Sequence, residues 1–175
     1  MMAGMLRRSF IVLPFAAGTA VAHSSPDSSK VQSLDDVLRW LDVVDKAAQP
    51  KATGAWPLPA VLEHLAQSIE MSMGGFPEPK SALFQATAGS VAFAVFKWRG
   101  KMSHGLAEPI PGAPALTTVA DWYVPAQRLR KAVGDFNGFQ GALKPHFAYG
   151  ALSKNDFALA HVLHIANHQD EIRLA

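Results

Sequence analysis

The sequence predicts an all-α protein, a four-helix bundle with one additional helix and a long loop near one end. Three observations predict it. Four stretches carry apolar residues at the i, i+3, i+4 spacing of a helix with one buried face. Three of these open on a Ser or Thr followed by an acid three residues later, the pattern of a capped helix start. No stretch alternates apolar and polar residues convincingly enough to be a half-buried strand. The chain has 175 residues. The spacing places one helical domain at residues 33–175, a polar linker at 23–32 and a leader at 1–22, and about 150 residues is enough for a self-sufficient core.

The elements follow in order. Ser33-Leu-Asp-Asp36 caps a first helix whose inward residues are Leu34, Val37, Leu38, Leu41 and Val44; Pro50 and Gly54 end that element. A second helix starts near Trp56-Pro-Leu-Pro and runs to about Met73. Leu58, Val61, Leu62, Leu65 and Ile69 form its apolar face, Glu63, Gln67 and Glu70 the opposite one, and His64 lies at the edge between them. Residues 80–99 are a buried or covering helix rich in Ala, Phe and Val, with a strand over Ser90–Trp98 as the competing assignment for so short an apolar run. Glycines and prolines punctuate residues 100–116 as a loop, long enough to fold over a site at the bundle mouth. His104 lies in that loop and reads as a solvated loop residue. Thr118-Val-Ala-Asp121 caps a fourth helix carrying Trp122, Val124, Leu129, Val133 and Phe136. After a connection over 139–152, Ser153-Lys-Asn-Asp156 caps the last helix, and 155–172 reads as helical.

The amino-terminal segment has the layout of a bacterial export signal: Arg7-Arg8-Ser-Phe-Ile, then a short apolar run, then Ala20-Val-Ala22 as a small-x-small cleavage site. The paired arginines resemble a twin-arginine signal, which carries proteins already folded and places this one in the periplasm. The apolar run is too short to span a bilayer. Cleavage after Ala22 removes two of the 16 Lys and Arg residues, leaving 14 against 14 Asp and Glu. A formally neutral domain with no basic stripe and no interleaved aromatics excludes nucleic acid as a partner. Cleavage also exposes His23, whose amine and ring are a chelating pair; the Ser-Ser-Pro around it reads as an unstructured linker instead. The chain contains no cysteine. Iron–sulfur clusters, thiolate zinc sites and thiol nucleophiles are therefore excluded, and any metal must be held by nitrogen and oxygen. No GxSxG elbow and no phosphate-binding glycine loop occurs.

The chemistry concentrates in the last helix. At about 100° per residue, His161, His164 and His168 share one narrow arc with Phe157, Ile165 and Ile172. Buried imidazoles without partners cost a few kcal/mol each. A divalent ion satisfies several at once, and His164 and His168, at i and i+4, have the spacing at which two imidazoles share one ion. A third ligand must come from another helix. His64 is the candidate, although alone it reads as an ordinary helix histidine near the surface. Three imidazoles leave an open position of the catalytic type, where an ion lowers the pKa of a water or polarises a substrate oxygen or thiol. His161, one turn earlier, is a further ligand, a donor to a ligand or a pocket wall, and the last two fit best. Glu171 either orients His168, serves as a general base, or is a solvated residue of a fraying terminus.

Two motifs carry a resemblance. His146-Phe-Ala-Tyr149-Gly150-Ala-Leu152-Ser153 is similar to an H-P-x-F-G-x-L-S segment, and His164-Ile-Ala-Asn167-His168-Gln-Asp-Glu171-Ile to H-x-x-H-H-x-x-Q-F. Together with Trp56-Pro-Leu-Pro-Ala-Val-Leu-Glu-His64 they resemble the DinB/YfiT-like superfamily of metal-dependent four-helix bundles, and within it the domain-of-unknown-function 1569 family. The resemblance implies that His64, His164 and His168 are the metal ligands, that the ion is zinc or nickel, and that His146 belongs to the pocket or to the shell around the ligands. It implies activities such as the transfer of low-molecular-weight thiols, and homodimers of the kind common in the superfamily. Phe147, Asn167 and Glu171 depart from the family pattern around the site and leave its substrate open. The sequence thus supports an exported metal-binding bundle acting as a hydrolase or thiol transferase. The alternative is a non-catalytic module with a closed, structural metal site.

Overall fold

The computed structural model describes residues 30–174. The leader, most of the linker and His23 lie outside the described residues. The fold is all-α. Its elements are α1 (Leu34–Lys46), β1 (Lys51–Ala52), α2 (Leu58–Gly74), α3 (Ala82–Phe84) leading through a wide π-type turn (Gln85–Gly89) into α4 (Ser90–Arg99), α5 (Tyr123–Gly138), α6 (Lys154–His168) and β2 (Ile172–Arg173). The caps at Ser33 and Ser153 form as their sequences dictate: each hydroxyl accepts from the backbone N–H three residues on, at 3.1 Å. Asp36 closes the first cap by accepting from Gln32 N at 3.0 Å.

The core sits between α1, α2, α5 and α6, with α1 and α2 each packed against both α5 and α6. Leu41, Leu62, Leu65, Ile69, Leu129, Phe136, Phe157 and Ile165 are fully buried, each worth about 1.5–3 kcal/mol. Arg128 of α5 ties this packing by pairing with Glu63 and Glu70 of α2, both at 2.7 Å, and Arg130 pairs with Asp42 and Asp45 of α1 at 2.9 Å. α2 is enclosed more completely than a two-faced helix. Gln67, expected on its polar face, is buried and donates to the Pro114 carbonyl at 3.1 Å, because the 100–122 loop lies over that face.

One expectation resolves and two change. The 80–99 stretch is helical, not a strand, and of the two readings it is the covering helix on the outside of the molecule. Phe93 faces in, whereas Trp98 is 85% exposed and Leu83 74% exposed. The fourth helix begins at Tyr123, not at Thr118. Upstream, Thr117 N donates to Glu63 at 2.6 Å and holds the loop, and Asp121 accepts from N of Tyr123, the first residue of the helix, at 2.9 Å. The last helix stops at His168, and the chain then makes a short 3-10 turn and enters β2. β2 pairs antiparallel with β1, with Ala52 opposite Ile172. This stitch is the one pair of strands among the described residues.

The π-type turn before α4 docks on the 139–152 connection through Gly89. A Cβ built there lies 1.9 Å from the Ala148 carbonyl oxygen, a backbone atom that cannot move aside cheaply. Gly89→Ala is expected to cost more than about 2 kcal/mol by this overpacking. Urea denaturation checks it. An unchanged midpoint would mean that the covering helix is not docked as closely as the structure places it.

Candidate metal centre

Helix α2 and helix α6 run side by side, and their facing histidines meet. His64 Nε2 lies 3.1 Å from His164 Nε2. One ligand nitrogen from each of His64, His164 and His168 falls within 4.8 Å of the others, so the group can hold a metal ion. The ring centres are 4.9, 5.2 and 5.0 Å apart. A metal–nitrogen bond of about 2.0–2.1 Å, with about 1.1 Å more to the ring centre, puts the rings of a tetrahedral site about 5 Å apart. The spacing fits one ion. So does the donor set: His168 Nε2 is buried with no hydrogen-bond partner, which is costly unless something accepts its lone pair.

The neighbours of two of these rings fix which nitrogen faces inward, while His64 Nδ1 is buried without a partner. His168 Nδ1 lies 2.7 Å from Glu171 Oε1, and His164 Nδ1 3.3 Å from the Ser68 hydroxyl. Engaging Nδ1 leaves Nε2 as the ligand atom and holds the ring in place. His64 is packed edge-on against Trp56, with ring centres 5.1 Å apart. Burial pushes all three imidazoles toward the neutral form: His64 to about 4, His168 to about 3, and His164 well below its ordinary value, with the neighbouring imidazoles adding to the shift. Neutral imidazole is the form that binds metal.

Glu171 is neither solvated nor frayed. It is 4% exposed, and burial raises its carboxyl pKa. Thr53 donates to its carbonyl from both N and Oγ1, at 2.7 and 3.0 Å, and Gln169 accepts from Val31 N at 3.0 Å. Gly54, which the sequence marks only as a helix stop, is the cradle of the Glu171 carboxylate. A Cβ there would lie 1.8 Å from Oε2.

The remaining histidines divide by their partners. Ser72 donates its hydroxyl to the Ile69 carbonyl at 2.6 Å, so its oxygen accepts from His161 Nε2 at 3.2 Å. His161 thereby stands apart from the three-histidine group and forms a wall. His146 Nδ1 accepts from Ala148 N and Tyr149 N at 3.1 and 3.2 Å, and its ring stacks on Tyr149 at 4.2 Å. It organises the turn before α6. His104 is the residue that sequence reasoning missed. It is half-buried, with its ring 4.9 Å from that of His164 and 5.6 Å from that of His168. Its loop position offered no periodicity to reveal this. A cavity of about 220 Å³ opens beside the group, lined by His64, His104, His146, His161, His164 and Tyr149 among others.

The family described as "Protein of unknown function (DUF1569)" matches residues 23–174. This chain belongs to that family. No curated protein and no solved structure matches it.

Burial holds His146 and His161 near 3, far below the 6.5 of an exposed imidazole. The unfolded chain therefore takes up protons first as pH falls. Stability is full above about pH 6.5 and declines below it, approaching about 1.4 kcal/mol per pH unit for each imidazole. Urea midpoints between pH 7.5 and 5 are expected to fall, and less steeply in His146→Gln. A flat profile would contradict the neutral burial of these rings.

Proposed function

We propose that this protein is an exported, metal-dependent member of its family with a DinB-like four-helix bundle, in which His64, His164 and His168 hold one divalent ion at the floor of a small-molecule cavity. The observation that carries this reading is the convergence of three neutral imidazoles beside an open cavity. The fourfold packing of α1, α2, α5 and α6 supports the bundle assignment. The start of the family match at residue 23, directly after Ala22, is consistent with removal of the leader.

A divalent ion in this position supplies Lewis-acid activation to a group in the cavity. The protein supplies the rest. Glu171 and Ser68 orient two of the rings through Nδ1. Phe157 and Phe136 back the His161 wall, with ring centres 5.7 and 5.1 Å from it. Lys80 and Glu108 contribute charges to the lining, while Met102, Ile110 and Pro111 supply apolar surface. At about 220 Å³ the cavity falls below the usual range of ligand sites, about 300–1,000 Å³, and suits only a small molecule. Hydrolysis and thiol transfer both fit this arrangement, and zinc or nickel fits a shell of imidazoles. A non-catalytic, closed site is the competing reading. The cavity favours the first, because a purely structural ion needs no access.

Elemental analysis of the purified full chain tests the site. Near-stoichiometric metal is expected. His168→Ala should lose it and melt roughly 10 °C lower, since binding free energy adds to folding. Glu171→Gln should retain metal with affinity reduced about 10- to 100-fold. Unchanged stoichiometry in His168→Ala would overturn the ligand assignment, and complete loss in Glu171→Gln would overturn the positioning role of that carboxylate.

A further inference from the structure

The loop between α4 and α5 brings a fourth imidazole to the cluster. His104 lies as close to His164 as His64 does, 4.9 Å between ring centres in both pairs. Its ring is 5.6 Å from that of His168, and it stands just outside the group whose ligand nitrogens all fall within 4.8 Å of one another, so a turn of its side chain is needed to bring Nε2 to the ion. Its protonation is also set as a ligand's would be. Nδ1 lies 2.8 Å from the Gly105 carbonyl oxygen. A carbonyl only accepts, so Nδ1 carries the proton and Nε2 keeps its lone pair. Metal-binding histidines as a class make this bond with the nitrogen remote from the ion. His164, with Ser68, and His168, with Glu171, have the same arrangement.

The loop is held in register for this. Met102 and Ile110 are buried on either side of His104, at 4% and 5% exposure. The Asn167 amide, on the residue before His168, donates to the His104 carbonyl at 3.4 Å. Farther along, Gln67 holds Pro114 and Glu63 holds Thr117.

We propose that His104 is a fourth metal ligand, carried on a loop where the other three are carried on helices. This rests on the three-histidine reading above and deepens it. With His104 added, an ion held by the triad would have four imidazole donors, and a small ligand in the cavity that His104 lines would compete with a loop residue for one coordination position.

Cobalt(II) titration of the full chain tests the proposal, read by the ligand-field absorption bands and by the dissociation constant. Wild type and His104→Ala are both expected to bind near-stoichiometric cobalt. The variant should bind at least about 10-fold more weakly, with shifted bands, and added imidazole should restore the wild-type spectrum. His104→Ala with unchanged affinity and bands, beside a His168→Ala that loses cobalt, would overturn the role of His104 and leave the triad standing. Failure of wild type to bind cobalt, zinc or nickel would overturn both. A melting curve of each metal-free protein separates loss of a ligand from loss of fold, and recovery by imidazole is a response that misfolded protein does not give.

Discussion

The candidate centre depends on one hydrogen bond, between His168 Nδ1 and the Glu171 carboxylate at 2.7 Å. Both groups are buried, and neither is easily satisfied otherwise. At i and i+3 the two residues face each other across one helical turn. The chain leaves the helical path directly after Glu171. The pairing of Ile172 with Ala52 and the two bonds from Thr53 to the Glu171 carbonyl then hold this residue against Gly54. The last residues of the domain thus set the orientation of a ring at its centre.

The other candidate ligands follow from helix packing. α2 is buried on nearly every side, so a histidine at its edge is carried inward with it. α6 offers His164 and His168 one turn apart, and the close approach of the two helices brings His64 Nε2 to 3.1 Å from His164. Without an ion, one of these two nitrogens can donate to the other, but His168 Nε2 stays buried and unpartnered. One ion answers all three lone pairs. The energetic argument for metal is therefore an argument about orphaned acceptors, and membership of a family without a known activity adds nothing to it.

Much of this was legible in the sequence because it is local. The caps at Ser33 and Ser153, the extent of α2 and the shared arc of His161, His164 and His168 are all read from residues within a few positions of one another. What was not legible is set by contacts between distant segments. Thr118 and Asp121 look like a helix start, but Glu63 of another helix captures Thr117 and no helix begins until Tyr123. Gln67 looks solvent-facing until a loop some 47 residues away covers it. Glu171 sits at a terminus that ought to fray, and two-residue strands are too short to leave a pattern. His104 lies where periodicity carries no information. For the histidines themselves, the i, i+4 spacing pointed to a pair, while only the packing of α2 on α6 brings His64 to it.

The central claim is that the converging imidazoles are a metal site and not a hydrogen-bonded polar cluster. The most direct measurement is a crystal structure of the purified protein with diffraction recorded on either side of the absorption edge of its bound metal. The account predicts one anomalous peak within bonding distance, about 2.0–2.3 Å, of Nε2 of His64, His164 and His168. A water molecule or direct imidazole contacts at that position, with no anomalous signal after zinc and nickel reconstitution, would contradict it.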